Sequence, residues 1–339
     1  MIGPAVWMVV ASLLATFVFT PMVRRYCIRN NLIDQPGPRR SHDRPIARGG
    51  GLAVASGLLP VLLLAASPND YYRGFLAGAI VVVLLGWRDD VHSLPIRMRL
   101  SIELLISSLV VLWLGPVAWV RFGGAELHAP WLWTPLAILA LVWLQNLFNF
   151  MDGSDGLAAT QAAFGGAFFA IAFFYDGQPA LGWLAAAVAA AALGFLPWNW
   201  PRASIFLGDS GSLLLGWSLG FLALAGAITG SVSVWLAFVI TSPFVVDATM
   251  TLGWRIKRRE QWYTAHREHA YQRLIRSGWS HQRVLAALIL INGVVIAPAV
   301  TMAVLWPWLD IYMALVLGVL QIAAWQLARS RSNGKIVSP

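Results

Sequence analysis

Residues 131–156 read WLWTPLAILALVWLQNLFNFMDGSDG, an apolar run that ends in a row of polar side chains. Two amides, Asn146 and Asn149, are followed by two carboxylates, Asp152 and Asp155, at intervals of three residues. Residues three apart are neighbours on a helix, but a perfect helix would wind four such groups around to opposite sides. The two glycines of the MDGSDG end interrupt the helix, so that the row can bend back towards one ligand. The segment therefore predicts either a polar site at the end of a buried helix or a polar helix end followed by a turn.

The composition is that of an integral membrane protein. Charged residues make up 12% of the chain, hydrophobic residues 58%, and the mean hydropathy is +0.68, whereas a soluble domain carries about 25% charged residues. The apolar runs are long enough for helices rather than barrel strands. The single cysteine, Cys27, excludes an intrachain disulfide and a cysteine metal cluster. The first run has no charged segment before it and no clear cleavage site, so we expect a retained span rather than a signal peptide.

Hydropathy predicts an all-α, polytopic bundle of about 10–11 transmembrane helices, in one domain over residues 1–330. Residues 331–339 are expected to form a disordered tail. We place eleven spans, at residues 3–23, 50–67, 72–87, 100–118, 131–149, 157–175, 179–197, 212–229, 232–253, 283–305 and 309–328.

The basic residues lie almost entirely on one side of this topology. Of 24 Lys and Arg residues, only Arg73 and Arg121 fall on the opposite side. Cytoplasmic loops carry such an excess of positive charge, so the basic side is predicted to face the cytoplasm. The net charge of +9 is therefore attributed to contact with membrane lipids and not to nucleic acid. The cytoplasmic segments are 24–49, 88–99, 150–156, 198–211, 254–282 and the tail.

All the polar clusters fall in these cytoplasmic segments. Arg40 and His42 lie in the first loop, and Arg48 directly precedes three glycines. Basic side chains beside a glycine-rich turn at a helix start can form an anion site, although a solvated positive loop is an equal alternative.

Two further acidic motifs suit a divalent cation. Asp89 and Asp90 are adjacent at a predicted membrane boundary, where they repel each other unless a cation joins them. Mg²⁺ suits such a site, because it takes one or two carboxylates together with phosphate oxygens; the alternative is a solvated loop neutralised by Arg88. Asp209, in the segment FLGDSGS, is a third candidate, or alternatively a helix N-cap.

The fifth loop carries the segment AHREHAYQRL, in which His266 and His269 are one helical turn apart. No Cys or third His is near in sequence, so zinc is discounted. Imidazoles beside Arg267 suit a diphosphate, and an amphipathic helix on anionic lipid is the alternative. Asp247 lies within the ninth span, where an acid is expected to pair or function; Arg255 and Lys257 are its candidate partners.

Acids, histidines and arginines on one membrane face match phosphoryl chemistry assisted by a divalent metal. In the order and spacing of these motifs the chain resembles the polyprenyl-phosphate N-acetylhexosamine-1-phosphate transferases. The resemblance covers nearly the whole chain, through RRSH, RGGG, DD, NxxNxxDGxDGLA, GDSGS and the histidine loop. The sequence HREHAYQRL lacks the adjacent histidines of the peptidoglycan branch and is similar to the O-antigen initiating branch.

The resemblance implies undecaprenyl phosphate as acceptor and a UDP-activated N-acetylated sugar as donor, such as the fucosamine, quinovosamine or glucosamine derivative. It implies a multi-pass enzyme of the bacterial inner membrane, with Mg²⁺ or Mn²⁺ as cofactor and an active site that faces the cytoplasm. The catalytic residues would be Asp89, Asp90, Asp152 and Asp209, and the metal ligands among them Asp89, Asp90 and Asp209. The substrate would be bound by Asn146, Asn149, Asp155, His266, Arg267, His269, Arg40, His42 and Arg48.

Other functional classes remain open at this stage. A transporter or lipid flippase would need ionisable residues deep in several spans, and the predicted interiors hold only Asp247 and, near a span start, Glu103. A basic membrane scaffold that binds a partner through loop 254–282 is a further alternative. Small-residue helix faces permit a homodimer.

Overall fold

The computed structural model of the protein describes residues 2–35, 44–65, 69–261 and 266–333. Each predicted span coincides with helical structure, and one short extra helix lies in the fifth loop. Within the described residues the helices are α1 Ile2–Arg29, α2 Gly51–Ala65, α3 Asp70–Val91, α4 Ile96–Leu114, α5 Pro130–Met151, α6 Leu157–Tyr175, α7 Pro179–Asn199, α8 Gly208–Thr229, α9 Val234–Lys257, α10 Ala270–Arg276, α11 His281–Leu290, α12 Ala297–Leu305 and α13 Asp310–Asn333.

The predicted all-α, polytopic membrane architecture is confirmed. In the described ranges, eight segments are long and apolar enough to cross a membrane, and α11 and α12 form one of them through a π-helical turn at Ile291–Ile296. Helix α2 is a shorter apolar helix, and α3 and α4 carry charged residues at their facing ends. Helix α13 extends to Asn333, three residues into the predicted tail, and residues 334–339 lie outside the described part of the chain.

Short strands, which the sequence did not predict, connect the helices. Strand β1 (Ile33–Asp34) pairs antiparallel with β2 (Ile46–Arg48), and β2 pairs parallel with β5 (Ile205–Phe206). The register places Arg48 beside Phe206, which brings the RGGG motif to the start of α8. A hairpin of β3 (Trp119–Phe122) and β4 (Ala125–His128) joins α4 to α5.

Helix α8 is the most buried of the membrane-spanning helices, and glycines let its neighbours approach closely. A Cβ on Gly51 would lie 2.0 Å from the backbone nitrogen of Gly211, and one on Gly86 would lie 2.5 Å from the carbonyl oxygen of Asp209. Neither position has room for a side chain. The glycines therefore allow α2 and α3 to pack against the first turn of α8, where the polar motifs meet.

We expect Gly51→Ala to destabilise this packing, because the added methyl group forces the backbones of α2 and α8 apart. Overpacking of this kind costs about 1–3 kcal/mol or more, so thermal unfolding in detergent should occur at a lower temperature. The control is Gly253→Ala in α9, where a Cβ meets nothing within 4 Å and better helix propensity should stabilise by about 0.5–1 kcal/mol. Equal unfolding temperatures for the two variants would contradict the predicted close approach.

Candidate active site

Arg48 connects two aspartates from different helices. Its Nε lies 2.8 Å from Asp90 Oδ1 and its Nη2 lies 2.6 Å from Asp209 Oδ1. The Asp90 carboxylate also accepts the backbone N–H groups of Asp209 at 2.8 Å and Ser210 at 3.0 Å, and the Ser210 hydroxyl at 2.9 Å. Asp90 therefore binds the N-terminal turn of α8, where an anion is favoured by the free N–H groups and the helix dipole.

Arg99 makes a second connection at the same place. Its Nη1 lies 2.5 Å from Asp89 Oδ2 and 3.3 Å from Asp209 Oδ2, while Asp89 Oδ1 accepts the Leu94 N–H at 2.5 Å. Asp209 is thus held between two arginines and does not act as a helix N-cap. The Asp89–Asp90 pair is neutralised by Arg48 and Arg99, not by Arg88 as the alternative interpretation supposed.

The polar row at the end of α5 divides between two places. Asn149, Asp152 and Asp155 line one cavity, because the helix ends at Met151 and the chain turns through residues 152–156. Asn146 does not line that cavity: its amide donates to the carboxylate of Glu103, a fully buried residue of α4. The predicted substrate-binding role of Asn146 therefore has no support in this geometry, since its position inside the helix directs it away from the other three.

The turn after Asp152 is held by residues far away in sequence. Asp155 Oδ2 accepts the N–H of Ala203 at 3.1 Å. The Nδ1 of His281, the first residue of α11, accepts the N–H of Asp155 at 3.3 Å and lies 2.9 Å from the Ser154 hydroxyl. These contacts explain how the DGSDG turn keeps its carboxylates on one side.

The polar segments enclose a cavity of about 330 Å³ at one end of the helix bundle. Acids, amides, aromatic rings and cations from seven separate stretches of the chain line it, a mixture that suits a ligand with charged and polar parts. The lining residues are Asp34, Arg48, Asn149, Phe150, Asp152, Gly153, Ser154, Asp155, Asn199, Phe206, Gly208, Asp209, Arg267, Tyr271, Gln272 and His281.

Asp152 differs from the other acids of the cavity. Within the described part of the chain its carboxylate makes no hydrogen bond and no ion pair, whereas Asp90 and Asp209 make several. Burial raises the pKa of Asp152 well above its ordinary value, and the nearby carboxylate of Asp209 raises it further. A carboxylate in this position is destabilised until a cation or a hydrogen-bond donor reaches it.

The histidine loop contributes one of its three predicted residues to the cavity wall. Arg267 lines the cavity, but His269 is buried, with its ring centroid 6.2 Å from that of Phe150 and 6.0 Å from that of Tyr271. His266 lies against His269, with a centroid distance of 4.9 Å. Burial, with the neighbouring His269 adding to it, lowers the pKa of His266 to about 4, so His266 is neutral at pH 7. Neither imidazole lines the cavity, so the predicted diphosphate contact of the two histidines has no support in this geometry.

Asp247 pairs differently from the prediction. Its Oδ1 accepts the backbone N–H of Ala270 at 2.8 Å and the hydroxyl of Thr251 at 3.1 Å, so it binds the start of α10. Arg255, one of the two predicted partners, is paired instead with Glu268 at 3.1 Å and Glu260 at 3.0 Å. The buried carboxylate of Asp247 thus holds the start of α10, directly after the histidine loop.

Several residues that the structure brings to the site had no predicted role. Arg99 was counted only as a basic loop residue, and His281, Asn199 and Tyr271 were not considered. Asn199 and His281 are polar residues at the ends of apolar segments on the basic side of the predicted topology, and this position is the signal that could have identified them. Two predicted substrate-binding residues, Arg40 and His42, lie outside the described residues.

The described residues contain no group of three or more His, Cys, Asp or Glu side chains arranged to hold a metal ion. The predicted set of Asp89, Asp90 and Asp209 does not form such a group, and both oxygens of Asp90 already accept N–H or O–H groups from the start of α8. Four aspartates line the cavity, Asp34, Asp152, Asp155 and Asp209, and among them Asp152 and Asp209 are close enough for their charges to interact. Because Mg²⁺ commonly binds through one or two carboxylates, water and substrate phosphate, this pair of oxygen donors fits a divalent cation.

The fold and the site together define a class of protein. It is a multi-pass membrane protein, with a polar site lined by both arginines and aspartates at one end of its apolar spanning helices. The sequence profile of glycosyl transferase family 4 matches residues 72–227. The chain belongs to this family, among the polyprenyl-phosphate N-acetylhexosamine-1-phosphate transferases, and the resemblance seen in its motifs is confirmed. The O-antigen initiating branch stays a prediction.

Three curated relatives support this assignment. A probable undecaprenyl-phosphate N-acetylglucosaminyl 1-phosphate transferase of Bacillus subtilis is 29% identical, over 91% of this chain and 87% of the relative. A decaprenyl-phosphate N-acetylglucosaminephosphotransferase of Mycolicibacterium smegmatis is 30% identical, over 83% and 77%. An undecaprenyl-phosphate alpha-N-acetylglucosaminyl 1-phosphate transferase of Salmonella typhi is 26% identical, over 86% and 82%.

Proposed function

We propose that the protein transfers an N-acetylated sugar 1-phosphate from a UDP-sugar to undecaprenyl phosphate and releases UMP. The observation that carries the proposal is the cavity itself, where Arg48 and Arg267 share the wall with Asp152, Asp155 and Asp209. Both substrates are anions, so a site for them needs cations to bring them together. The relatives named above for the same kind of transfer support the choice of substrates.

The reaction is a displacement at phosphorus. An oxygen of the lipid phosphate attacks the β-phosphorus of the UDP-sugar, a new P–O bond forms, and the bond from that phosphorus to the bridging oxygen breaks. UMP leaves with the bridging oxygen. The attacking phosphate is largely ionised at pH 7, because its second pKa is about 6, so the site's main task is to position two anions and neutralise their charge.

We assign a divalent cation, Mg²⁺ or Mn²⁺, to Asp152 and Asp209. When bound there it would neutralise the diphosphate and the developing charge on the leaving phosphate. Asp152 has a carboxylate without a partner in the described chain, and Arg48 and Arg99 orient Asp209. In this proposal Asp90 positions the start of α8 instead of binding the metal, since its two oxygens already accept four contacts.

The other residues divide between the two substrates. Arg267 and Arg48 are assigned to the diphosphate, and Asn149 and Asp155 to the nucleotide. Asp89 stays a candidate base or ligand beside Asp209. The excess of basic loops on the side of the cavity supports a site that faces the cytoplasm, and the family assignment supports the bacterial inner membrane. N-acetylglucosamine is the first sugar to test, because the relatives are named for it; N-acetylfucosamine and N-acetylquinovosamine, the sugars of the proposed O-antigen branch, follow.

The test is a transfer assay with purified protein, undecaprenyl phosphate and UDP-sugars labelled in the β-phosphate. We expect the label to move to the lipid, one UMP to be released for each lipid product, and EDTA to abolish transfer until Mg²⁺ or Mn²⁺ is restored. Release of UDP would instead indicate transfer of the sugar without its phosphate. Label that stays on the nucleotide with every sugar of the panel would contradict the proposal.

A further inference from the structure

Residues 266–269 precede α10 and form no regular helix or strand. Arg267 lines the cavity. Glu268 faces the other way, where its Oε1 lies 3.1 Å from Arg255 and its Oε2 lies 3.5 Å from Arg329. The next residue, His269, is buried. Two adjacent residues thus have different surroundings, the cavity for Arg267 and a pair of arginines for Glu268.

Arg329 comes from α13, the last helix of the chain. Its guanidinium lies 4.4 Å from the ring centroid of Trp254 on α9 and 5.3 Å from that of Trp325 on its own helix. The side chains of Arg329 and Glu268 are only 10% and 22% exposed, so solvent screens this ion pair less than one on the surface. A planar guanidinium can stack on indole rings and still direct N–H groups at a carboxylate.

Helix α13 reaches the same segment by a second route. The Trp325 indole N–H donates to Thr251 Oγ1 at 3.0 Å, and that hydroxyl donates to Asp247 Oδ1 at 3.1 Å. Asp247 in turn accepts the N–H of Ala270 at 2.8 Å, at the start of α10. Two residues that follow Arg267 closely, Glu268 and Ala270, are therefore both connected to α13.

We propose that Glu268 and Arg329 are positioning residues, and that α13 holds Arg267 in the cavity through them. Neither side chain lines the cavity in the described structure, so they act through Arg267 and not on the substrate. The inference rests on the proposed function only in assigning a diphosphate to Arg267. It gives the C-terminal helix a part in substrate binding, although Arg329 lies some 60 positions further along the chain.

The test is the binding of UDP, the part shared by all candidate donors, measured by calorimetry with Mg²⁺ present. Because a misplacement of about 1 Å can cost up to about 10²-fold, we expect Arg329→Ala and Glu268→Gln each to weaken UDP binding about tenfold. Arg329→Lys, which keeps the charge without the planar fork, should recover part of the loss. The control is Arg283→Ala, an exposed arginine of α11 outside this network.

Two comparisons separate positioning from general stability. In an Arg267→Ala background, Arg329→Ala should add almost no further loss, because the group it positions is gone. Hydrogen exchange of the peptide amides over residues 266–276 should be faster in both Arg329→Ala and Glu268→Gln, without any ligand. Multiplicative losses in the double variant, unchanged UDP binding, or unchanged exchange would each overturn the proposal.

The exchange measurement also separates this inference from the proposed function. If the unmodified protein bound no UDP, the proposed function would fail, while exchange at 266–276 would still report whether Glu268 and Arg329 hold the segment. Should Arg329→Ala not fold, Glu268→Gln changes one charge at nearly constant shape and serves in its place.

Discussion

Asp209→Asn is expected to reduce sugar-phosphate transfer by at least about 10³-fold. The substitution removes a charge that two arginines converge on, at 2.6 Å from Arg48 and 3.3 Å from Arg99, and it removes an assigned ligand of the divalent cation. Loss of a single transition-state contact commonly costs about 10²–10³ in rate. Asp209→Asn affects both the cation and the orientation of the two arginines, so we expect a loss of rate at or above the upper end of this range.

The matched control for this prediction is Asp176→Asn, an exposed acid at the C-terminal end of α6. It makes the same chemical change at a distance from the cavity and should leave the transfer rate within about twofold of the unmodified protein. A full rate for Asp209→Asn in the presence of Mg²⁺ would show that this carboxylate neither binds the cation nor holds the arginines in their active arrangement.

Asp152→Asn is expected to separate activity from stability. Transfer should fall by about 10²–10³-fold, because a carboxylate assigned to the cation is lost. Stability without divalent ions should not fall and should rise slightly, since burial raises the pKa of Asp152. The sign follows from linkage: the folded protein binds this proton more tightly than the unfolded chain, so ionisation at neutral pH costs stability, and an amide avoids that cost.

The measurement is the temperature of thermal unfolding in detergent with EDTA, beside the transfer rate with Mg²⁺. Asp90→Asn is the informative comparison, because the Asp90 carboxylate accepts three N–H and O–H groups of α8 and pairs with Arg48. That variant should lose both stability and activity. If Asp152→Asn unfolded at a temperature as low as Asp90→Asn, the carboxylate of Asp152 would have a structural partner, contrary to its described surroundings.

The membrane helices could be predicted because long apolar runs have few other structures available to them. The proximity of Asp209 to the loop motifs could also be predicted, since GDSGS, RGGG and the acidic pair all fall on the basic side of the topology. The direction of individual side chains could not be predicted from the sequence. Asn146 and Asn149 look alike in sequence, yet one meets Glu103 and the other lines the cavity, because that difference depends on where α4 packs.

The histidine loop shows the same limit. Two imidazoles near arginines suggest an anion site. In the structure, however, His269 packs between aromatic rings, and the carboxylate of Asp247 accepts the first backbone N–H of α10. These outcomes depend on contacts with α5 and α9, which are remote in sequence. The short strand β2 was likewise invisible, since three residues carry too little pattern to distinguish a strand from a loop, although this strand delivers Arg48 to Asp209.

The proposed mechanism depends on Asp152 and Asp209, which are far apart in sequence, holding one divalent cation together with the donor diphosphate. Electron paramagnetic resonance of Mn²⁺ with purified protein and UDP tests it directly and does not depend on turnover. We expect one bound Mn²⁺ per chain, which is lost in both Asp152→Asn and Asp209→Asn and retained in Asp176→Asn. Undiminished Mn²⁺ binding in either of the first two variants would contradict it.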